Sequence, residues 1–207
     1  LVVTASSLTL VQGGENHNSL AHFTDNLTHR ARDFTATITF SDGATAHGCI
    51  VATRMGGFEV LAAHHFNVAG ANTFTVTITA KSGLSASADG AVAVTPRVLT
   101  ATGINSTTDR KSIHDYAVAT LTDNLPGLCG KSYTISVTWS DGITTTAKLC
   151  MSGGVLTIKT SRDLPGPGAL TGTVNISVLD GAVTTSANFT LTVNAPKSAA
   201  KPANKGK

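Results

Sequence analysis

Acidic residues are few in this chain, and glutamate is nearly missing. Of 207 residues only 12 are Asp or Glu, and glutamate occurs at Glu15 and Glu59 alone. Sugar hydrolysis by two carboxylates facing each other across a cleft is therefore poorly supplied. Charged residues of both signs make up 13% of the chain, against roughly 25% in an ordinary soluble domain. Helix formers such as Leu, Glu, Lys, Gln and Met are scarce, and no segment carries a helical apolar period. Aromatics are 5% and the formal charge is +3, much of it at the C-terminal end. The body therefore lacks the basic surface and stacking platforms of a nucleic-acid binder. No run of about 18 apolar residues is present, so no helical membrane span is expected. There is no C-x-x-C pair for zinc, no G-x-S-x-G elbow for a nucleophile, and no glycine loop opening a helix for phosphate. An enzyme is not expected. The chain begins at Leu1, as expected of a processed product or a piece of something larger.

Thr, Ser, Gly, Val and Ala fill the space left by charge. Threonine fits a pleated strand and presents a hydroxyl to water, so the composition leans all-β. The ordering principle is internal duplication. Phe23-Thr-Asp25-Asn-Leu27 recurs as Leu121-Thr-Asp123-Asn-Leu125, 98 positions on. Phe34-Thr-Ala-Thr-Ile-Thr-Phe-Ser-Asp42-Gly43 recurs as Tyr133-Thr-Ile-Ser-Val-Thr-Trp-Ser-Asp141-Gly142, 99 positions on. Val76–Gly83 recurs as Val174–Gly181 at an offset of 98. Three blocks hold one spacing to within a residue.

Within each copy the period is two. Phe34, Ala36, Ile38 and Phe40 share one face, and Thr35, Thr37 and Thr39 share the other. Tyr133, Ile135, Val137 and Trp139 repeat the pattern, and Thr73–Thr79 and Thr184–Val193 alternate likewise. Such alternation describes half-buried strands of an antiparallel sheet. Asp42-Gly43, Asp141-Gly142 and Asp180-Gly181 read as tight turns. A unit of about a hundred residues is the size of a seven-stranded sandwich. Residues 1–96 and 97–196 are expected to form the two sandwiches, with the join near Pro96. Residues 197–207 form a basic tail expected to be flexible on a lone domain. Its lysines, Lys197, Lys201, Lys205 and Lys207, are the candidate partner-binding residues, suited to an acidic groove on a neighbouring subunit.

In the first unit the order runs Phe-Thr-Asp, aromatic-x-Ala-x-Ile-x-aromatic-Ser-Asp-Gly, Gly56-Gly57-Phe58-Glu59-Val60, His64-His65-Phe66-Asn67-Val68-Ala69-Gly70, then Phe-Thr-Val-Thr-Ile. This order resembles bacterial immunoglobulin-like repeats of the PKD-like type, strung together in large secreted and surface proteins. The resemblance covers Phe23 to Val94. The second unit keeps the early and late strands, but Arg162-Asp-Leu-Pro-Gly-Pro-Gly168 stands in place of the His-x-aromatic stretch. The resemblance implies an all-β chain of two tandem immunoglobulin-like antiparallel β-sandwiches. It implies an adhesive, spacer or scaffold role, and no catalytic residues.

Three cysteines leave one bridge and one remainder. With Asp141-Gly142 as the centre of a hairpin, Cys150 falls opposite about residue 133, and Cys129 lies just beyond. A Cys129–Cys150 disulfide is the candidate bridge, the alternative being two reduced thiols. Cys49 is expected to be a small buried apolar residue, or else an intermolecular link. His64 and His65 are adjacent and point to opposite faces of a strand, so they cannot act as one bidentate pair. A structural hydrogen bond is the expected role of His64. The other histidines, His17, His22, His29, His47 and His114, are scattered over loops and strand edges. Asp25 and Asp123 recur and are candidates for Ca²⁺ at a domain edge, although no Asp-x-Asp-x-Asp cluster supports them. No other cofactor is expected. Asn-x-Ser/Thr triplets at Asn26, Asn105, Asn175 and Asn188 matter only in a eukaryotic secretory pathway.

The function that these readings favour is a non-catalytic structural module of an extracellular or particle-surface assembly: a surface layer, fibre, sheath or virion decoration. Its partner would be protein, through self-assembly or a neighbouring subunit. The rival reading is an adhesin or carbohydrate-binding accessory domain with a glycan partner, for which exposed aromatics are few and Tyr116 is the main uncommitted one. A third is a non-catalytic appendage of a larger enzyme.

Overall fold

The computed structural model describes residues 1–26, 30–125 and 133–195. The chain divides into two compact units, Leu1–Arg97 and Val98–Lys207. In unit 1 the strands are β1 (Val2–Ala5), β2 (Ser7–Val11), β3 (Glu15–Asn16), β4 (Ser19–Thr24), β5 (Phe34–Phe40), β6 (Thr45–Ala52), β7 (Phe58–Leu61), β8 (His64–His65), β9 (Gly70–Ala80) and β10 (Ser85–Thr95). In unit 2 they are β11 (Leu99–Gly103), β12 (Ser106–Thr108), β13 (Ser112–Asp123), β14 (Thr134–Trp139), β15 (Thr144–Ser152), β16 (Val155–Asp163), β17 (Gly168–Val178) and β18 (Val183–Val193).

The strand order in unit 1 is β1-β4-β7-β6-β5-β9-β10-β2, and in unit 2 it is β11-β13-β16-β15-β14-β17-β18-β12. Place for place, the two orders are the same. Both units are immunoglobulin-like β-sandwiches. One layer of unit 1 is β1, β4 and β7, and the other is β5, β9, β10 and β2. Strand β6 joins them, pairing with β5 through Thr45–Gly48 and with β7 through Cys49–Ala52. In unit 2, β15 does the same between β14 and β16. Every pairing is antiparallel except β2 with β10 and β12 with β18, which are parallel.

The alternation read from the sequence is what fills the core. Along β5, Phe34, Ala36, Ile38 and Phe40 are buried and the threonines between them are exposed. Leu20, Phe23, Val60, Phe74, Val76 and Ile78 meet them from the other strands. Unit 2 builds its own core from residues such as Ile113, Leu121, Val137, Trp139, Ile158, Val174, Ile176 and Leu191.

One feature of the cores is reciprocal. On the β9–β10 pair, Phe74 stands opposite Gly90, and a Cβ at Gly90 would lie 2.2 Å from the ring's Cζ. On the β17–β18 pair the partners are exchanged. Gly172 on the first strand faces Phe189 on the second, and a Cβ there would lie 2.5 Å from the Phe189 Cζ. In each unit a glycine yields the space that an aromatic ring occupies directly across the ladder.

Candidate functional site

The repeated aromatic-Ser-Asp-Gly sequence forms the same turn twice. In unit 1 the loop closes with Phe40 N–H donating to Ala44 O at 2.9 Å and Gly43 N–H donating to Phe40 O at 3.0 Å. Gly43 has φ 88°, the left-handed backbone expected at the end of a three-residue hairpin loop. Asp42 Oδ1 accepts the Ala44 amide at 3.1 Å. In unit 2, Asp141 Oδ1 likewise accepts from Ile143 at 3.3 Å.

Each turn aspartate is also held by a side chain from a distant strand. In unit 1 the residue is His64 on β8, whose Nε2 lies 2.9 Å from Asp42 Oδ2. A carboxylate can only accept, so Nε2 carries the proton. The imidazole lies flat on Phe40, with ring centroids 3.8 Å apart at 14°, and meets Phe66 edge-on at 4.6 Å. The expected structural hydrogen bond of His64 is thus present, with a stacking surface beneath it. Backbone pairing of Asn16 with His64 and Glu15 with His65 ties the segment after β2 to the same place.

In unit 2 the residue is Arg162, near the end of β16 and 98 positions after His64. Its Nη1 donates to Asp141 Oδ1 at 3.2 Å and its Nη2 to Oδ2 at 2.6 Å. Its guanidinium carbon lies 4.7 Å from the Trp139 ring centroid. Its side chain is only 5% exposed. Arg162 therefore fills the place of His64, and Trp139 that of Phe40. A planar guanidinium suits both tasks, gripping a carboxylate with two donors and stacking on an indole. By sequence, Arg162–Gly168 departs from the pattern of the first unit. The 98-residue offset from His64 is the sequence signal that assigns Arg162 its place.

The electrostatics agree with this geometry. Burial works against the charge on Asp42, but the Ala44 amide and the His64 imidazole outweigh it and hold the carboxyl below its usual range. Hydrogen bonding from Arg162, against an opposing contribution from burial, does the same for Asp141.

The other candidates fall elsewhere. Asp123 Oδ2 accepts from the Tyr133 hydroxyl at 2.5 Å and its Oδ1 from the Leu125 amide at 2.9 Å, so this carboxylate organises the end of β13. Among the described residues, no group of three or more His, Cys, Asp or Glu could hold a metal ion. Cys150 is half-buried on β15, on the part of that strand that pairs with β16, where it stands opposite Thr157. Its candidate partner Cys129 lies outside the described residues, as do His29, Lys197, Lys201, Lys205 and Lys207. Cys49 corrects an expectation. It is exposed, not buried, because β6 turns Ala46, Gly48 and Ile50 toward the core and Cys49 falls on the opposite parity. Tyr116 is half-buried and packs against the unit 2 core.

Concave surface is present on unit 2. A depression of about 620 Å³ on the outer face of β14, β17 and β18 is lined by hydroxyls and amides, among them Asn105, Thr138, Thr171, Thr173, Asn188 and Thr190. No ionisable side chain lines it.

No family model and no curated protein matches the chain. Solved structures are similar at low identity. A chimeric titin Z1Z2 carrying a peptide from decorin is 11% identical, covering 94% of this chain and 97% of that one, with a TM-score of 0.41. The human desmocollin-1 ectodomain is 7% identical over 93% of this chain, which spans 41% of its length, with a TM-score of 0.36. An endo-fucoidan hydrolase of glycoside hydrolase family 107 is 12% identical over 92% of this chain, which spans 28% of its length, with a TM-score of 0.40. Among the described residues no helix is long and apolar enough to cross a membrane.

Proposed function

We propose that this chain is a non-catalytic structural module of an extracellular or particle-surface assembly, built on the PKD-like immunoglobulin pattern. The observation that carries the reading is the fate of the repeated charged positions. The Asp of each Ser-Asp-Gly turn is engaged by a nitrogen-bearing side chain stacked on an aromatic ring, so these two repeated carboxylates serve to lock loops. Low charge and hydroxyl-rich outer faces suit lateral packing against protein. The basic tail supplies lysines for a neighbouring subunit. Size-exclusion chromatography with light scattering, on the full chain and on a chain ending at Pro196, tests the reading. Higher-order species that are lost with the tail support it, and an unchanged monomeric mass for both chains removes it.

The uncharged depression beside Asn188 favours one rival, a glycan-binding accessory role. Hydroxyls and amides without competing charge are suited to neutral sugars. Binding of the full chain to neutral glycans on an array, lost in Thr173→Lys, would move the assignment to that rival.

A further inference from the structure

The two parallel strand pairs give the units a mechanical property that their antiparallel ladders do not. Strand β2 follows the entry of unit 1, and β10 is its last strand. They pair in parallel from Ser7 with Ala91 to Val11 with Thr95. When a unit is stretched by its two ends, β2 is drawn toward its own N-terminus and β10 toward its C-terminus. Parallel strands drawn this way slide along one another, so every hydrogen bond between them carries load at once. A hairpin pulled from its open end gives way one pair at a time.

The same arrangement recurs in unit 2, where β12 pairs in parallel with β18, but it is shorter. Unit 1 has five registered pairs and unit 2 has three, from Ser106 with Leu191 to Thr108 with Val193. In unit 1 the pairing is extended by Gln12 N–H donating to Thr95 O at 2.9 Å and by the Thr95 hydroxyl donating to Leu10 O at 3.1 Å. In unit 2 the extensions are Asn194 N–H to Thr108 O at 2.8 Å, Thr190 N–H to Asn105 Oδ1 at 2.7 Å, and Asn194 Nδ2 to Asp109 Oδ1 at 2.6 Å. These two side-chain bonds, like that of the Thr95 hydroxyl in unit 1, are exposed, where water competes for the same groups and each contributes little. The backbone pairs therefore decide the comparison.

We infer that the chain carries tension and extends in a set order, unit 2 yielding before unit 1, because its parallel clamp is shorter. Under a pull the second unit releases length first while the first stays folded. This property does not depend on the assembly proposed above. A monomeric chain would have it too.

The experiment is single-molecule stretching of the full chain from its two ends. A flexible glycine insertion in the Lys81–Leu84 loop lengthens the release of unit 1 only and so labels its rupture. Two ruptures are expected, with forces roughly in the ratio of the five and three registered pairs. The extra length should appear in the stronger one. Extra length in the weaker rupture overturns the order. A second geometry tests the clamp itself. Gly70 pairs with Val94, so tethers at Val68 and Thr95 pull β9 and β10 apart from one end. The rupture force of unit 1 should then fall well below its end-to-end value. An unchanged force would show that the parallel pair is not the barrier.

Discussion

Arg162 grips both carboxylate oxygens of Asp141 while its guanidinium carbon stands 4.7 Å from the centroid of Trp139. The contact joins the end of β16 to the turn after β14, two places far apart along the chain. It also gives a direct readout, because Trp139 is the sole tryptophan and is 2% exposed in unit 2. Indole fluorescence therefore follows unit 2 alone.

Arg162→Lys keeps the charge and loses both the fork and the flat stacking surface. We expect it to lower the urea midpoint of the Trp139 transition, with Arg162→Met lowering it further by leaving Asp141 without its partner. Equal midpoints for wild type and Arg162→Lys would show that charge alone sets the contact.

Acid should weaken both units through their turn aspartates. Asp42 and Asp141 are both depressed below the ordinary 3.8. A group depressed in the folded state contributes stability that is present above its unfolded value and is lost as pH falls through the folded one. The loss should therefore begin near pH 4 and deepen below it. Asp33 adds to it in unit 1, where the Arg30 amide and Lys81 hold its carboxyl low. Thermal unfolding from pH 7 down to pH 2 should show the acid limb for wild type, and Asp141→Asn should flatten it in the Trp139 signal. An acid limb unchanged by that substitution would assign the loss elsewhere.

The reciprocal glycines make a steric test. Gly90→Ala and Gly172→Ala each drive a methyl into a buried ring, Phe74 in one case and Phe189 in the other. Overpacking of this kind costs about 1–3 kcal/mol. Combining Gly90→Ala with Phe74→Leu should recover part of the loss, since the smaller side chain vacates the contested space. Denaturant titration followed by circular dichroism measures both. A neutral Gly90→Ala would mean that the ladder spreads at little cost.

What could be read in advance followed from contrast between faces. In Phe34–Phe40 large apolar residues alternate with threonine, so both the strand and its inward side were legible. In Thr45–Ala52 the inward residues are Ala46, Gly48 and Ile50. Two of these are no larger than a methyl group and the third, Ile50, is matched by Val51 on the outward side, so the faces hardly differ and the exposure of Cys49 is not legible. The turn aspartates were legible as turns, because Asp-Gly is a local signal. Their second partners, His64 and Arg162, arrive from other strands, and no local pattern announces such a contact. The exchange of Phe and Gly between paired strands was hidden for the same reason, since it depends on cross-strand register.

The cysteines provide the last test. Cys150 lies on the part of β15 that pairs with β16, and its candidate partner Cys129 lies outside the described residues, so a thiol count decides the bridge. Cys49 is exposed on β6 and should react whatever the state of the others. Unreduced, denatured protein prepared without reductant is expected to show one thiol by titration, and reduced protein all three. A bridge closing a loop of about twenty residues would contribute roughly 3 kcal/mol by restricting the unfolded chain. Reduction should therefore lower the midpoint of the Trp139 transition, while unit 1 is unaffected. Three thiols in the unreduced protein would dismiss the bridge, and Cys129→Ser would then leave the stability of unit 2 where it was.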